Sequence, residues 1–155
     1  MNKLCISDLL AGCQLTACSY EANPELWSEV LNDLPYQPNY YSHEMIQYQH
    51  SYYAGAGWDL SNFSLILLTD GRPCGVLPLT IKMGDEPRVT SLGLPILSPI
   101  FLAWTPEKTI KKIIAWLYDF LDGIHAKLGL NTMCFEQQPI DKLDSTIQRM
   151  GLIKR

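Results

Sequence analysis

The residues best suited to acid–base chemistry are two carboxylates, Glu136 and Glu44. Glu136 follows residues 133–135, an apolar run that predicts a strand, and strand ends contribute to sites in α/β folds. Partial burial raises the pKa of a carboxyl group, which could then act as a general base toward an amine. Glu136 is therefore the candidate catalytic residue. The alternative is that Glu136 has a purely structural role. For Glu44, the pattern favours a helix-start carboxylate stabilised by the helix dipole.

Aromatic residues are concentrated between positions 36 and 58, which contain six tyrosines and Trp58. A tyrosine combines an apolar ring with a polar hydroxyl, which suits the binding of sugars or acyl chains. Tyr40, Tyr41 and Trp58 are the candidate substrate-binding residues. The alternative is that these rings pack a short helix against a sheet, and for each residue taken singly we favour packing.

The histidines and cysteines do not predict a metal site. His43 and His50 are seven positions apart on one predicted helix, about 10 Å along its axis, which disfavours joint ligation. Both are expected to face solvent or to be satisfied in the core. The five cysteines contain no Cys-x-x-Cys pair, which argues against a disulfide framework and a structural zinc site. We expect no metal, no covalently bound cofactor, and a cytoplasmic location in which thiols stay reduced.

The N-terminal residues resemble a lipoprotein signal, which competes with their assignment to the fold. Residues 10–13 read Leu-Ala-Gly-Cys, as before a bacterial lipoprotein cysteine, and Lys3 could form the positive region. The apolar stretch between them is short and contains Asp8, so the sequence favours an ordinary first strand or helix over residues 3–20.

Composition excludes several classes of protein. The chain has 155 residues, a net charge of −4 and 47% hydrophobic residues, which predicts one globular domain over 1–155. No basic cluster suggests nucleic-acid binding, and no apolar run reaches the roughly 18 residues of a membrane span. The sequence contains no P-loop, GxGxxG, HExxH or GxSxG motif.

Hydrophobic spacing predicts the elements that position these residues. Asn23-Pro24 opens one helix, and a second runs over residues 42–53, with Met45, Tyr48, Gln49 and Tyr52 on its packed face. Strands over 63–69 and 74–82 form a hairpin around residues 70–73, with an edge or bulge at Pro78.

The second half continues this pattern. A third strand is predicted over 88–92, followed by the apolar, proline-broken segment Leu94–Phe101. A long amphipathic helix begins at Thr105-Pro106 and ends at Gly129. A strand over 130–135, a helix over 140–150 and a strand start at Leu152 follow. The predicted class is α+β, with a mixed, mainly antiparallel sheet and flanking helices.

Three stretches carry a family resemblance. Residues 38–41 open a helix ahead of the sheet, residues 65–79 form a hairpin with a Gly-Val-Leu-Pro-Leu run after its turn, and Ser-Leu-Gly at 91–93 follows the third strand. Together with the element order and the junction at 150–152, they resemble the N-terminal part of a GNAT (acyl-CoA N-acyltransferase) domain. The resemblance is closest to the FemAB-like and cellulose-biosynthesis-protein-like branch.

The resemblance implies transfer of an acyl group from a thioester or aminoacyl ester to an amine. Acyl-CoA would be the co-substrate, and the amine would belong to a small molecule or a cell-surface precursor. On this chain the acceptor side would include Glu136, Tyr40, Tyr41 and Trp58.

The sequence departs from the family at the pyrophosphate loop, because no Arg/Gln-x-x-Gly-x-Gly/Ala segment occurs. We therefore expect a GNAT-like half domain, which would be part of an enzyme, half of a split protein or an inactive relative. The alternative is a non-catalytic interaction module, which would use Leu94–Phe101 to pair with a second copy or with another chain.

Overall fold

A computed structural model of the chain describes residues 4–34, 38–130 and 135. These residues form an α+β fold with four α-helices and two antiparallel sheets. The predicted α+β class with flanking helices is therefore confirmed. The single mixed sheet that was predicted is wrong, because the strands form two separate sheets.

The elements follow one another with short connections. In chain order they are α1 (Ile6–Ala11), β1 (Ala17–Ser19), α2 (Pro24–Asn32), a 3₁₀ helix (Asn39–Tyr41), α3 (His43–Gly55), β2 (Leu60–Asn62), β3 (Leu65–Thr69), β4 (Arg72–Leu77), β5 (Thr80–Lys82), β6 (Arg88–Thr90), β7 (Ile100–Phe101) and α4 (Glu107–Leu128). One sheet has the strand order β1-β3-β4-β7 and the other the order β2-β5-β6. Every strand pair in these two sheets is antiparallel.

The predicted hairpin is confirmed as β3 and β4. Its two turn residues, Asp70 and Gly71, have φ angles of 50° and 74°. Two consecutive positive φ values match the twist of a two-residue hairpin, which explains the Asp-Gly pair.

The single strand predicted over 74–82, with an edge or bulge at Pro78, is wrong: the strand ends before Pro78 and the chain passes from one sheet to the other. Strand β4 ends at Leu77 and β5 begins at Thr80. Proline has no backbone N–H, so it breaks the hydrogen-bond ladder. Two serine hydroxyls bond the backbone here: Ser64 Oγ accepts from Leu79 N at 3.0 Å, and Ser91 Oγ donates to the Pro78 carbonyl.

Helices cover both faces of the four-stranded sheet. Leu65 and Leu67 belong to a core that also includes α1 and α4, whereas Ile66 between them belongs to a second core with α2 and α3. Successive strand residues point to opposite faces. Burial on both faces explains why β3 is apolar throughout rather than alternating.

Helix α4 matches its prediction closely. It spans Glu107–Leu128 and ends at Gly129, whose φ of 62° gives the left-handed cap. Helix α2 begins at Pro24 as predicted, but the Asn23 side chain donates to the Ser19 carbonyl instead of capping the helix.

Helix α3 corrects one expectation. Ser42 caps it by accepting a hydrogen bond from Met45 N, but Ile46 is its buried residue. Tyr48 and Tyr52, predicted to lie on the packed face, are 61% and 60% exposed. Counting aromatic rings as core residues placed the packed face wrongly, because a tyrosine ring can also remain at the surface.

The last predicted elements fall on residues outside the described ranges, except at Leu130 and Phe135. These are most of the strand over 130–135, the helix over 140–150 and the start at Leu152. Phe135, which follows α4 in the sequence, forms an isolated parallel bridge with Ile96, which precedes α4. No helix within the described ranges is both long and apolar enough to cross a membrane.

Candidate functional site

A cavity of about 260 Å³ lies between the residues that follow β1 and one face of α3. Its lining side chains are mostly polar and include two histidines, a tyrosine, two amides and a carboxylate. The lining residues are Tyr20, Glu21, Pro24, His43, Gln47, His50 and Asn62.

The helical repeat places three of these side chains together. His43, Gln47 and His50 have the spacing i, i+4 and i+7, which brings them to one face of α3. The Ser42 cap fixes the first turn of the helix and so the position of His43.

Tyr20 connects this helix face to the sheet. Its hydroxyl shares a hydrogen bond with His43 Nδ1, and Gln47 Nε2 donates to the same oxygen at 3.2 Å. With Gln47 donating to the oxygen, the Tyr20 proton can be donated to His43. The Tyr20 ring is held edge-on against Trp27 at 5.2 Å between ring centroids, so the hydroxyl is well fixed.

His50 is the unusual member of the group. Its Nε2 atom is buried and has no hydrogen-bond partner among the described residues. Burial lowers the pKa of His50 from its ordinary value of 6.5, and Glu21 opposes this shift. A neutral imidazole with a buried, unpaired nitrogen is available to bind a polar group that enters the cavity.

The pKa of Tyr20 is shifted upwards, in the opposite direction to that of His50. Burial raises the pKa of its hydroxyl, the Gln47 hydrogen bond lowers it, and the charges of Glu44 and Glu21 raise it further. The Tyr20 hydroxyl therefore keeps its proton at neutral pH and can exchange it with His43. The cavity can thus move a proton between a bound group and an imidazole. Within the described ranges, no three His, Cys, Asp or Glu side chains are grouped to hold a metal ion.

The predicted site residues occupy different places. Tyr41 is buried, and its hydroxyl donates to the Ser98 carbonyl. Tyr40 is 47% exposed. Trp58 lies beyond the other end of α3, whose 13 residues span roughly 20 Å, so the structure does not bring it together with the two tyrosines. Glu136 lies outside the described residues.

A larger cavity of about 580 Å³ runs beside β6 to Gly129 and Leu130. Its ionisable lining residues are Asp85, Glu86 and Arg88, all exposed. Arg88 pairs with Glu86 at 3.0 Å. We prefer the smaller cavity as the candidate site because Tyr20 and His43 are hydrogen-bonded to each other and His50 is partly buried.

His43 and His50 stand out in the sequence, and their spacing of seven positions disfavours joint metal ligation. The same helical spacing includes Gln47 at i+4, which is the signal in the sequence that could have located the cavity face of α3. Tyr20 could not be found locally, because it lies 23 residues before His43.

Comparison with protein families, with curated proteins and with solved structures gives no match for this chain. The functional argument therefore depends on the fold and the cavity.

Proposed function

We propose that this chain is a GNAT-like, FemAB-like N-acyltransferase, and that the cavity between Tyr20 and α3 receives the amine. The observation that carries the proposal is the hydrogen bond between the Tyr20 hydroxyl and His43 Nδ1 in the wall of that cavity.

The order of elements supports this proposal. Helices α2 and α3 come before the antiparallel β3–β4 hairpin, and strand β6 and the long helix α4 come after it, in the order that the resemblance implies. Helix α1 and strands β1, β2, β5 and β7 are additional to that order. After α4, Phe135 forms an isolated parallel bridge with Ile96.

The cavity supplies the proton transfer that the reaction needs. The amine nitrogen attacks the carbonyl carbon of the acyl donor, an N–C bond forms, the C–S bond of a thioester breaks, and the thiolate leaves. The amine proton passes to Tyr20 Oη while the Tyr20 proton passes to His43 Nδ1, and the imidazolium then returns its proton to water. Holding amine and donor together supplies most of the remaining rate enhancement.

The direct test is incubation of the purified chain with acetyl-CoA and a panel of primary amines. The N-acetyl product should be measured by mass spectrometry, because Cys5 is exposed and would react with a thiol reagent. A bound donor should also raise the melting temperature, since a ligand of the native state stabilises it.

Two variants and a control refine this test. Tyr20→Phe and His43→Ala should lower the rate about 10²–10⁴-fold if the pair moves the proton. His125→Ala changes a half-buried histidine on α4 and should leave the rate unchanged. Absence of both product and thermal shift with acetyl-CoA and with an aminoacyl ester would contradict the proposal.

The second candidate is a binding module without catalysis. The uncharged aromatic surface of α3 favours it, because such a surface suits recognition and adds no reactive group. Ligand binding without acyl transfer, under conditions where acetyl-CoA causes no thermal shift, would favour this candidate over the enzyme.

A further inference from the structure

One stretch of the chain lacks formal charge although much of it is exposed. Between Glu44 and Asp59 there is no Asp, Glu, Lys or Arg. The exposed side chains of α3 in this stretch are aromatic, amide, hydroxyl or methyl groups: Gln47, Tyr48, Ser51, Tyr52 and Ala54. Exposed helix surfaces normally carry charged side chains, as α4 does. This composition fits a ligand that is itself uncharged and rich in hydrogen-bonding groups.

Four aromatic rings form a continuous row along this surface. Tyr48 and Tyr52 stack with 6.2 Å between centroids and an angle of 26° between the rings. Tyr52 meets Tyr53 edge-on at 5.2 Å, and Tyr53 stacks on Trp58 at 4.5 Å. We call Tyr48, Tyr52, Tyr53 and Trp58 the aromatic row.

The inner end of the aromatic row is fixed in place. Gly93 has a φ of +81°, and a Cβ atom at this position would overlap the Tyr53 ring, so only glycine lets the two approach. Lys82 Nζ lies 4.7 Å from the centre of the Trp58 ring. Tyr53 contacts Tyr52 edge-on, while Tyr48 and Tyr52, which stack on each other, remain largely exposed.

The aromatic row is separate from the cavity. At 100° per residue, Tyr48 and Tyr52 lie roughly 140–180° around α3 from His43. The row is therefore a second surface, and its role does not depend on the proposed acyl transfer.

The exposed area of Tyr48 and Tyr52 limits the size of the ligand that these two residues can hold. Tyr48 and Tyr52 are 61% and 60% exposed, and since a tyrosine buries at most about 250 Å², the pair offers roughly 300 Å². A stable protein interface needs about 800 Å² per partner. The pair is thus too small to hold a second copy of the chain by itself, but large enough for one or two rings of a small ligand.

We propose that Tyr48 and Tyr52 form a binding platform for a neutral saccharide. The C–H face of a sugar ring packs on a tyrosine ring, and its hydroxyl groups exchange hydrogen bonds with phenol and amide groups such as Tyr52 and Gln49. The cation that contacts the aromatic row, Lys82, lies at its Trp58 end, and no Lys or Arg occurs between Glu44 and Asp59. The exposed pair Tyr48 and Tyr52 therefore favours neutral sugars over phosphorylated, sulfated or uronic acid sugars, which need a cation.

The test is titration of the full chain with cellotetraose and with maltotetraose, followed by saturation-transfer NMR and calorimetry. We expect binding of at least one of them, with the sugar C–H protons receiving saturation. Tyr52→Ala and Tyr48→Ala should each weaken this binding about tenfold. Trp104→Ala, which removes an exposed aromatic residue outside the row, should leave the affinity unchanged.

Three results would overturn the proposal. The first is no binding of either sugar at millimolar concentration by a chain whose melting curve is cooperative. The second is preferential binding of a proline decamer, which would assign the row to peptide recognition. The third is a tyrosine-dependent increase of molecular mass with protein concentration in light scattering, which would assign it to self-association.

Discussion

Helices α3 and α4 are the two longest among the described residues, and their side chains serve different purposes. Seven α4 residues are buried, and Lys and Asp side chains occupy its solvent face. Only Ile46 is fully buried in α3, which has the polar cavity on one face and exposed tyrosines on another. Helix α4 therefore contributes mainly to stability, whereas α3 presents most of the groups that could bind a ligand.

This difference predicts which substitutions should destabilise the fold and which should change ligand binding. Buried apolar side chains dominate the free energy of folding, so substitutions in α4 should act on the whole domain. Substitutions on the exposed faces of α3 should mainly change binding. Three measurements test this contrast, from the largest expected effect to the smallest.

Leu117→Asp in α4 should have the largest effect. Leu117 is 4% exposed in the core shared with the sheet, so the variant would bury an unpaired carboxylate and lose apolar contacts. We expect a loss of about 4–5 kcal/mol, comparable to the whole stability of many small domains. Circular dichroism during heating should show loss of the cooperative transition. Asp119→Ala on the solvent face is the control, and a cooperative, wild-type-like Leu117→Asp melt would contradict the role given to α4.

Ser42→Ala at the start of α3 should cost about 1 kcal/mol, because it removes the side-chain acceptor for Met45 N. Urea unfolding at equilibrium would measure this as a lower midpoint with an unchanged slope. Ser51→Ala, an exposed position within the same helix, is the matched control and should be neutral. Equal midpoints for the two variants would show that the cap does not stabilise α3.

The third effect appears only on acidification. Burial lowers the pKa of His50 in the folded chain below its ordinary value of 6.5. Between the lowered and the ordinary pKa, the unfolded chain binds the extra proton and the folded chain does not, so stability falls as pH drops below about 6.5. The stabilisation is fully present above that value.

His50→Gln should reduce this pH dependence of the unfolding free energy, because it removes the contribution of His50 and leaves the contributions of the other titratable groups. The measurement is the free energy of unfolding in urea at a series of pH values between neutral and mildly acidic. A variant whose stability falls with pH as steeply as that of the original chain would show that His50 does not contribute.

Much of the local structure could be predicted from the sequence because its signals lie within a few residues. Ser42 and Gly129 mark helix ends through their own backbone and side-chain chemistry, and Asp70-Gly71 marks a turn through its tolerance of positive φ. The candidate site could not be predicted in the same way. Tyr20 meets His43 only because the chain folds α3 back over the end of β1.

For residues 3–20, which contain α1, the sequence left a strand and a helix open. It did determine that α2, α3 and α4 are helices, where the hairpin turns and that no formal charge occurs between Glu44 and Asp59. These properties depend on neighbouring residues and on composition. Only the tertiary structure decided that Ile46 rather than the tyrosines of α3 enters the core, that the chain changes sheet at Pro78, and that Tyr20, His43 and Gln47 share one cavity. Each of these depends on contacts between residues distant in the sequence, whose energies are set by which surfaces pack together and not by local preference.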